Sequence, residues 1–212
     1  MYGFGGSGDP LEQIEPQPAV LLVHDLQSSD EIGRLTLDGV LHGSEFGPSM
    51  ALHPNEQQLV LLHGDADKLT IVDTQQMQIV STRDLTGSQD PLKADNIRGW
   101  DLQFAPNGTL YAGGSEQPVV RNLGIRRINV EQAKIEAEAL IDENWSWYRV
   151  APDGSAIFFY GSRPGPVPSA VQGGPPPNPA LLRRLDPQTL TVTAERPFEG
   201  FYQPFLVAQP KQ

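Results

Sequence analysis

The sequence predicts an all-β fold made of repeated four-stranded antiparallel units, and three observations support this prediction. The 212 residues include 21 glycines and 20 prolines, which indicates many tight turns. Three short turn sequences, PNE at 54–56, PNG at 106–108 and PDG at 152–154, each lie between a short alternating segment and an apolar run that ends in glycine. After each glycine, two further apolar segments follow in the same order, separated by another short turn.

The first half of each unit is predicted to be a β-hairpin. The segments SMALH, WDLQFA and WYRVA precede the turns, and the runs LVLLHG, TLYAGG and AIFFYG follow them. Proline, asparagine, aspartate and glycine favour tight turns because they preset φ or tolerate the left-handed conformation. Each unit therefore begins with two antiparallel strands.

The second half of each unit adds a third and a fourth strand. The third strands are predicted in KLTIVDT, IRRINV and LLRRLDP, and the fourth in MQIVSTRDL, AKIEAEAL and LTVTAERPF. A polar residue begins the turn between them in every copy, namely Asp73, Asn129 and Asp186. Asp25, in VLLVHDLQSSDEIGRLTL, begins the same turn in an earlier copy.

Among the predicted strands, the segment 131–141, EQAKIEAEALI, is the one whose composition also favours a helix, because it is rich in good helix formers. Its apolar residues alternate with polar ones, and a period of two is typical of a strand. The segment also occupies the position of a fourth strand in the repeat. We therefore predict a strand here.

Four antiparallel strands that recur about every 50 residues are typical of β-propeller blades, whose radial stacking buries the sheet faces. The first residues, MYGFGGSG, match a second strand, and the last, FYQPFLVAQPKQ, match a first strand. We therefore predict a single propeller domain of four blade equivalents, with one blade shared between the N- and C-terminal strands. The predicted blades span 206–212 together with 1–38, then 46–85, 98–141 and 145–198.

Three architectures are compatible with this count of blades. The chain forms a closed four-bladed ring, or it is a piece of a larger propeller whose upstream blades are missing, or it is a half-ring that pairs with a second copy. The third architecture predicts self-association, because an incomplete ring leaves sheet edges and faces uncovered.

The unit HPNEQQLVLLHGDADKLTIVDTQQMQIVSTRDL, which spans 53–85, resembles the YVTN repeat of bacterial and archaeal propellers. The counterparts of that pattern are the turn at 54–55 and the segments LVL at 59–61, IVDT at 71–74 and IV at 79–80. The resemblance implies a propeller. Related propellers include lactonase-like enzymes and subunits of quinohaemoprotein amine dehydrogenases, but no motif here carries over their active residues.

Variation in loop length points to one functional face. In a propeller, the loops from strand two to three and from strand four to the next blade lie on one face, and here they are long: SGDPLEQIEPQP, TGSQDPLKADNIRG, DENWSW and GSRPGPVPSAVQGGPPPNP. The turns of the opposite face are short throughout. Because rigid scaffolds commonly place binding groups on variable loops, we call the first side the long-loop face and expect function there.

Polar and aromatic residues concentrate where the long loops enter the first strands. These candidate binding residues are Asp95, Arg98, Trp100, Asp101, Trp145, Trp147, Tyr148 and Tyr202. First strands line the channel of a propeller, so these side chains are predicted to meet at the channel mouth as a ligand or peptide site. The alternative is that the aromatic side chains fill the channel and pack between blades.

The function predicted from these features is a non-catalytic binding or scaffold domain that presents the long-loop face to a protein or peptide partner. The alternative is a propeller enzyme, or enzyme subunit, of the lactonase or amine-dehydrogenase kind, with its site at the channel mouth. The sequence has no cysteine and no Gly-x-Ser-x-Gly, and its histidines lack a metal-ligand spacing. We therefore expect no catalytic residues, no metal and no cofactor.

Charge and hydropathy narrow the range of partners. The net charge of −11 disfavours a nucleic acid or an anionic membrane surface. No apolar run approaches the roughly 20 residues that span a bilayer, and no signal peptide is recognisable at Met1. The compartment stays open.

Overall fold

The computed structural model describes residues 17–42, 48–93, 96–117, 121–139, 146–162 and 180–198. These residues form strands joined by turns, and no helix among them is long and apolar enough to cross a membrane. The strands belong to four antiparallel sheets, in each of which sequence neighbours pair. The prediction of an all-β fold with four-stranded antiparallel sheets is thus confirmed, including a strand in the ambiguous segment 131–141.

The strands occur along the chain in the predicted order, and their bounds are as follows. The first sheet contains β1 (Gln17–His24) and β2 (Glu31–His42). The second contains β3 (Ser49–Leu52), β4 (Gln58–Leu62), β5 (Lys68–Asp73) and β6 (Gln78–Asp84). The third contains β7 (Ile97–Phe104), β8 (Leu110–Gln117), β9 (Arg121–Asn129) and β10 (Lys134–Ala139). The fourth contains β11 (Ser146–Val150), β12 (Ile157–Ser162), β13 (Ala180–Leu185) and β14 (Val192–Phe198).

The recurring polar residue organises the turn between third and fourth strands in the second to fourth sheets and the turn between β1 and β2 in the first sheet. In three of them an aspartate Oδ1 accepts hydrogen bonds at 2.7–2.9 Å from the backbone N–H groups two and three residues further on, and in the third sheet Asn129 accepts one from Gln132. The residue four positions after each anchor is not glycine yet has a positive φ: Ser29, Met77, Ala133 and Leu190. The shared geometry explains why the spacing recurs.

Apolar side chains on alternate positions of one strand pack against opposite neighbours. In β4, Leu61 joins Ala19 and Leu37 in the core between the first and second sheets. The flanking Val60 and Leu62 join the core between the second and third sheets. Because both faces of the strand are covered, its sequence is continuously apolar instead of alternating.

The first strands of the second, third and fourth sheets lie side by side. The Ser49 hydroxyl of β3 donates to the Trp100 carbonyl of β7 at 2.6 Å. Between β7 and β11, the Gln103 side chain donates to the Tyr148 carbonyl at 3.2 Å and accepts from the Val150 N–H at 3.1 Å. These strands therefore form the inner edge of the arrangement, as first strands do in a propeller.

The segment 85–96, which we call the linker, connects the second sheet to the third. Thr86 donates to the Ala133 carbonyl at 3.0 Å and accepts from the Ile135 N–H at 2.8 Å, so the linker begins as a short parallel extension of β10. Gly87 has φ +82°, and a Cβ there would lie 2.6 Å from the Ile135 carbonyl oxygen. Both the conformation and the close approach therefore require glycine.

The described sheets do not close into a ring. Val20 and Leu22, on the face of the first sheet that points away from the second, are 44% and 43% exposed. The predicted shared blade depends on residues 1–16 and 199–212, which lie outside the described residues. The single domain with the predicted blade bounds therefore stays a prediction.

Candidate functional surface

A buried arginine ties together the long-loop side of the third sheet. The Arg98 guanidinium, at the start of β7, is 1% exposed and contacts three acidic residues from separate segments. Its Nε donates to Glu116 at the end of β8 and its Nη1 to Asp67 in the β4–β5 loop, both at 2.9 Å. Its Nη2 donates to the backbone carbonyl of Asp90 in the linker at 2.8 Å. One side chain thus fixes two loops and a strand end.

The Glu116 carboxylate is the second centre of this cluster. It is 2% exposed and also accepts hydrogen bonds from Asn96 at 2.8 Å and from Arg121 at 3.0 Å. Burial raises the pKa of Glu116, but the hydrogen bonds from Arg98 and Arg121 outweigh burial, so its pKa is lowered from the ordinary value. Glu116 therefore holds its negative charge, and it cannot serve as a general acid near neutral pH.

A third arginine extends the cluster beneath the linker. Arg126 of β9 is fully buried, its Nε lies 2.6 Å from a Glu138 oxygen, and burial lowers its pKa. Its guanidinium carbon lies 4.9 Å from the centre of the Trp100 ring, a cation–π contact. Glu138 also accepts from the linker N–H of Gln89 at 2.8 Å. We call the set Arg98, Arg121, Arg126, Asp67, Asp90, Glu116 and Glu138 the arginine cluster.

The arginine cluster is a set of ion pairs that holds neighbouring loops and strands together. Each of its carboxylates lies within 3.0 Å of a guanidinium nitrogen. Such charge-assisted pairs hold loops in one geometry. Of the residues in the arginine cluster, only Arg98 was among the candidate site residues predicted from the sequence. A usable signal was the pair of charges within the apolar run GIRRINV, since a charged residue inside a strand covered on both faces needs a partner.

The structure separates the predicted site residues into two groups. Arg98, Trp100 and Tyr148 are buried, whereas Asp101 and Trp147 are exposed. The other three, Asp95, Trp145 and Tyr202, lie outside the described residues. The side chains of the buried members are therefore held between sheets, where a partner cannot touch them without opening the structure.

Tyr148 shows how this burial arises. Its hydroxyl lies 2.8 Å from the carbonyl oxygens of both Asp101 and Tyr111, which share its single proton as acceptors. Its ring packs against Gly113 of β8, where a Cβ would lie 2.7 Å away. Burial raises the pKa of Tyr148 well above its ordinary value. The side chain therefore acts as a neutral wedge between the third and fourth sheets.

The exposed members lie near the inner edge of the fourth sheet. An Asp101 carboxylate oxygen lies 3.2 Å from an Arg149 guanidinium nitrogen, and both side chains are about half exposed. Trp147, two residues before Arg149, is 37% exposed and its ring stacks on Tyr160 with centres 6.0 Å apart. This edge thus offers a charged pair next to an aromatic surface.

A shallow depression of about 400 Å³ lies on the long-loop face beside the arginine cluster. Its walls come from the β4–β5 loop and both ends of the linker, namely Asp65, Ala66, Asp67, Lys68, Asp84, Leu85, Leu92 and Lys93. Asp67 also holds the linker, because it accepts the Leu92 N–H at 2.7 Å. The depression therefore has mixed charge and walls fixed by the cluster.

His63, at the end of β4, gives this region a pH dependence. Its Nε2 lies 2.8 Å from the Thr70 hydroxyl, and its carbonyl accepts from the Trp100 indole at 3.2 Å. The side chain is buried, and this burial lowers the pKa of His63 from its ordinary value of 6.5. The folded state therefore binds the proton less well than the unfolded state does.

We expect the protein to lose stability as the pH falls below about 6.5, the unfolded pKa of histidine. His63 contributes its stabilisation fully above that pH and loses it as the pH falls towards the folded pKa, at most about 1.4 kcal/mol per pH unit. In urea unfolding at pH 7.5 and 5.5, His63→Gln should reduce the difference between the two midpoints. His24→Gln, at an exposed position, is the control. An equal difference in wild type and His63→Gln would contradict the assignment.

Comparison with solved structures shows the fold. The chain matches hydrazine synthase of Kuenenia stuttgartiensis with a TM-score of 0.52 and 14% identity, over 84% of this chain and 43% of that one. It matches the structure of the Dos1 propeller with a TM-score of 0.53 and 10% identity, over 84% and 42% of the two chains. At such identities the likeness shows a β-propeller fold and nothing about activity.

The chain spans less than half the length of either solved structure. No curated protein matches it closely. No protein-family model matches the sequence either, so the resemblance to the YVTN repeat stays an interpretation of the unit at 53–85. What is shown is that this chain has the architecture of β-propeller sheets.

Proposed function

We propose that the chain is a non-catalytic binding domain that presents its long-loop face to a protein or peptide partner. The observation that carries the proposal is the shallow depression between the β4–β5 loop and the linker. It is open, mixed in charge and walled by segments that the arginine cluster holds in place. A preorganised surface loses little conformational freedom on binding, which favours affinity.

The chemistry of the described charges favours binding over catalysis. The exposed charges on the inner strands β3, β7 and β11 are Asp101 and Arg149, and they pair with each other at 3.2 Å. The carboxylates of the arginine cluster are likewise paired with guanidinium groups. An enzyme of the lactonase or amine-dehydrogenase kind would need groups at the channel mouth that engage a substrate, so we give preference to the binding domain.

One cation in the wall of the depression and one away from it provide the test. Peptides are selected from a random library against the purified chain, and their dissociation constants are measured by calorimetry for wild type and two variants. Lys93→Glu, in the wall of the depression, should raise the dissociation constant at least tenfold. Arg34→Glu, at an exposed position of β2 in the first sheet, makes the same charge change away from the depression and should leave it unchanged. The reverse pattern would contradict the proposal.

A further inference from the structure

The first sheet presents exposed apolar side chains of β1 on its outer face, beside Arg34 and Thr36 of β2. Along β1, Ala19 is buried against the second sheet. Val20 and Leu22, which point to the opposite face of the strand, are 44% and 43% exposed. An antiparallel sheet that faces water on one side usually alternates apolar with polar residues. Apolar residues on both faces indicate that the outer face is normally covered.

The repeat shows what covers such a face. The residues three before the anchor of the third-to-fourth-strand turn are Thr70, Arg126 and Arg183 in the second to fourth sheets, and all are buried. Leu22 occupies this same position, three before Asp25, in the first sheet. In the second to fourth sheets, the face that carries this residue packs on the preceding sheet. In the first sheet the corresponding face, which carries Leu22, has no preceding sheet among the described residues. We call it the receiving face.

The outer face of the fourth sheet is the complement. The second sheet packs on the third through Val60, Leu62, Leu69 and Ile71. The fourth sheet has corresponding residues when positions are counted from the proline of the first turn and from the aspartate of the second turn. They are Phe158, Tyr160, Leu182 and Arg184. These side chains share one face because Phe158 pairs with Arg184 and Tyr160 with Leu182. The fourth sheet thus presents the face with which a sheet packs on its successor.

We propose that these two faces meet between copies, so that the fourth sheet of one chain covers the first sheet of a second chain, and the reverse. Two identical head-to-tail contacts then close a ring around a two-fold axis. The fourth sheet of the same chain does not serve, because Val20 and Leu22 stay exposed in its presence. Each chain spans less than half of the propellers that it matches, so two chains supply a comparable length.

The first experiment measures mass. Sedimentation equilibrium of the 23.2 kDa chain should give a dimer at micromolar concentration. Leu22→Arg places a charge in the proposed apolar contact and should raise the dimer dissociation constant at least tenfold. Val80→Arg, at an exposed position of β6, is the matched control and should leave it unchanged. A monomer, or a mass that keeps growing with concentration, would overturn the proposal.

The second experiment distinguishes the direction of the contact. The chain has no cysteine, so Leu22→Cys and Leu182→Cys each introduce one defined thiol. A short bis-maleimide should link the two variants only when they are mixed. Self-linking of Leu22→Cys would indicate a symmetric contact, and an intrachain link in the double variant would indicate a ring closed by one chain. Either result would overturn the head-to-tail pairing, and neither depends on peptide binding to the long-loop face.

Discussion

Replacing Arg98 by methionine is expected to lower the free energy of unfolding by about 3–5 kcal/mol, because breaking a buried ion pair leaves the remaining carboxylates with too few cationic partners. Glu116 loses its Nε hydrogen bond at 2.9 Å while it remains 2% exposed, and Asp67 loses its bond to Nη1. Methionine fills much of the volume, so the loss reports on charge more than on packing. Urea unfolding followed by tryptophan fluorescence measures the change.

The matched control is Arg34→Met, which makes the same substitution in an exposed pair with Glu31 at 2.8 Å. It should leave the urea midpoint unchanged, because solvent screens exposed ion pairs. Combining Arg98→Met with Glu116→Gln should recover part of the loss, since the buried carboxylate that has lost one of its two guanidinium partners is then neutral. Equal midpoints for Arg98→Met and Arg34→Met would show that the arginine cluster does not stabilise the fold.

The same variant tests whether the cluster holds the linker. The Leu92 N–H donates to Asp67 at 2.7 Å, and the Gln89 N–H donates to Glu138 at 2.8 Å. Only the first of these depends on a carboxylate that Arg98 orients directly. Hydrogen exchange in Arg98→Met should therefore accelerate at Leu92 more than at Gln89. This difference links the stability of the fold to the rigidity of the proposed binding surface.

The sequence predicted the repeat because its signals are local. Asp25, Asp73 and Asp186 each accept hydrogen bonds from N–H groups two or three residues away, so a short spacing carries the whole geometry. The fourth strand in AKIEAEAL was predictable for a similar reason, since alternation and repeat position agreed. When all the hydrogen bonds of a turn join residues within about five positions of one another, the sequence alone is enough to predict the turn.

The arginine cluster was not predictable in the same way, because its partners are distant in sequence. Arg98 meets Asp67, 31 residues earlier, and Glu116, 18 residues later. The candidate site also mixed exposed with buried side chains. Trp147 and Tyr148 are adjacent, and alternation predicts opposite faces, but only the packing shows that Tyr148 faces the third sheet.

The second large effect is expected at the wedge between the third and fourth sheets. Tyr148→Ala should lower the free energy of unfolding by about 3–5 kcal/mol, the usual cost of removing a buried aromatic ring. Its hydroxyl contacts with Asp101 and Tyr111 are lost together with the packing on Ile157 and Phe159. Thermal and urea unfolding measure this change, for which Trp147→Ala, at a partly exposed neighbouring position, is the control with a smaller expected loss.

Gly113 makes this assignment specific, because a double-mutant cycle separates the wedge from general loss of core. Gly113→Ala alone should cost about 1–3 kcal/mol, since its Cβ would lie 2.7 and 2.8 Å from two Tyr148 ring atoms in a packed interface. In the Tyr148→Ala background that contact no longer exists, so the added methyl group should cost little or fill part of the cavity. Strictly additive losses would mean that Tyr148 does not rest on Gly113. A smaller cost of Gly113→Ala in the Tyr148→Ala background would show that glycine at position 113 of β8 leaves the space that Tyr148 of β11 occupies. This contact then helps to set the position of the fourth sheet relative to the third.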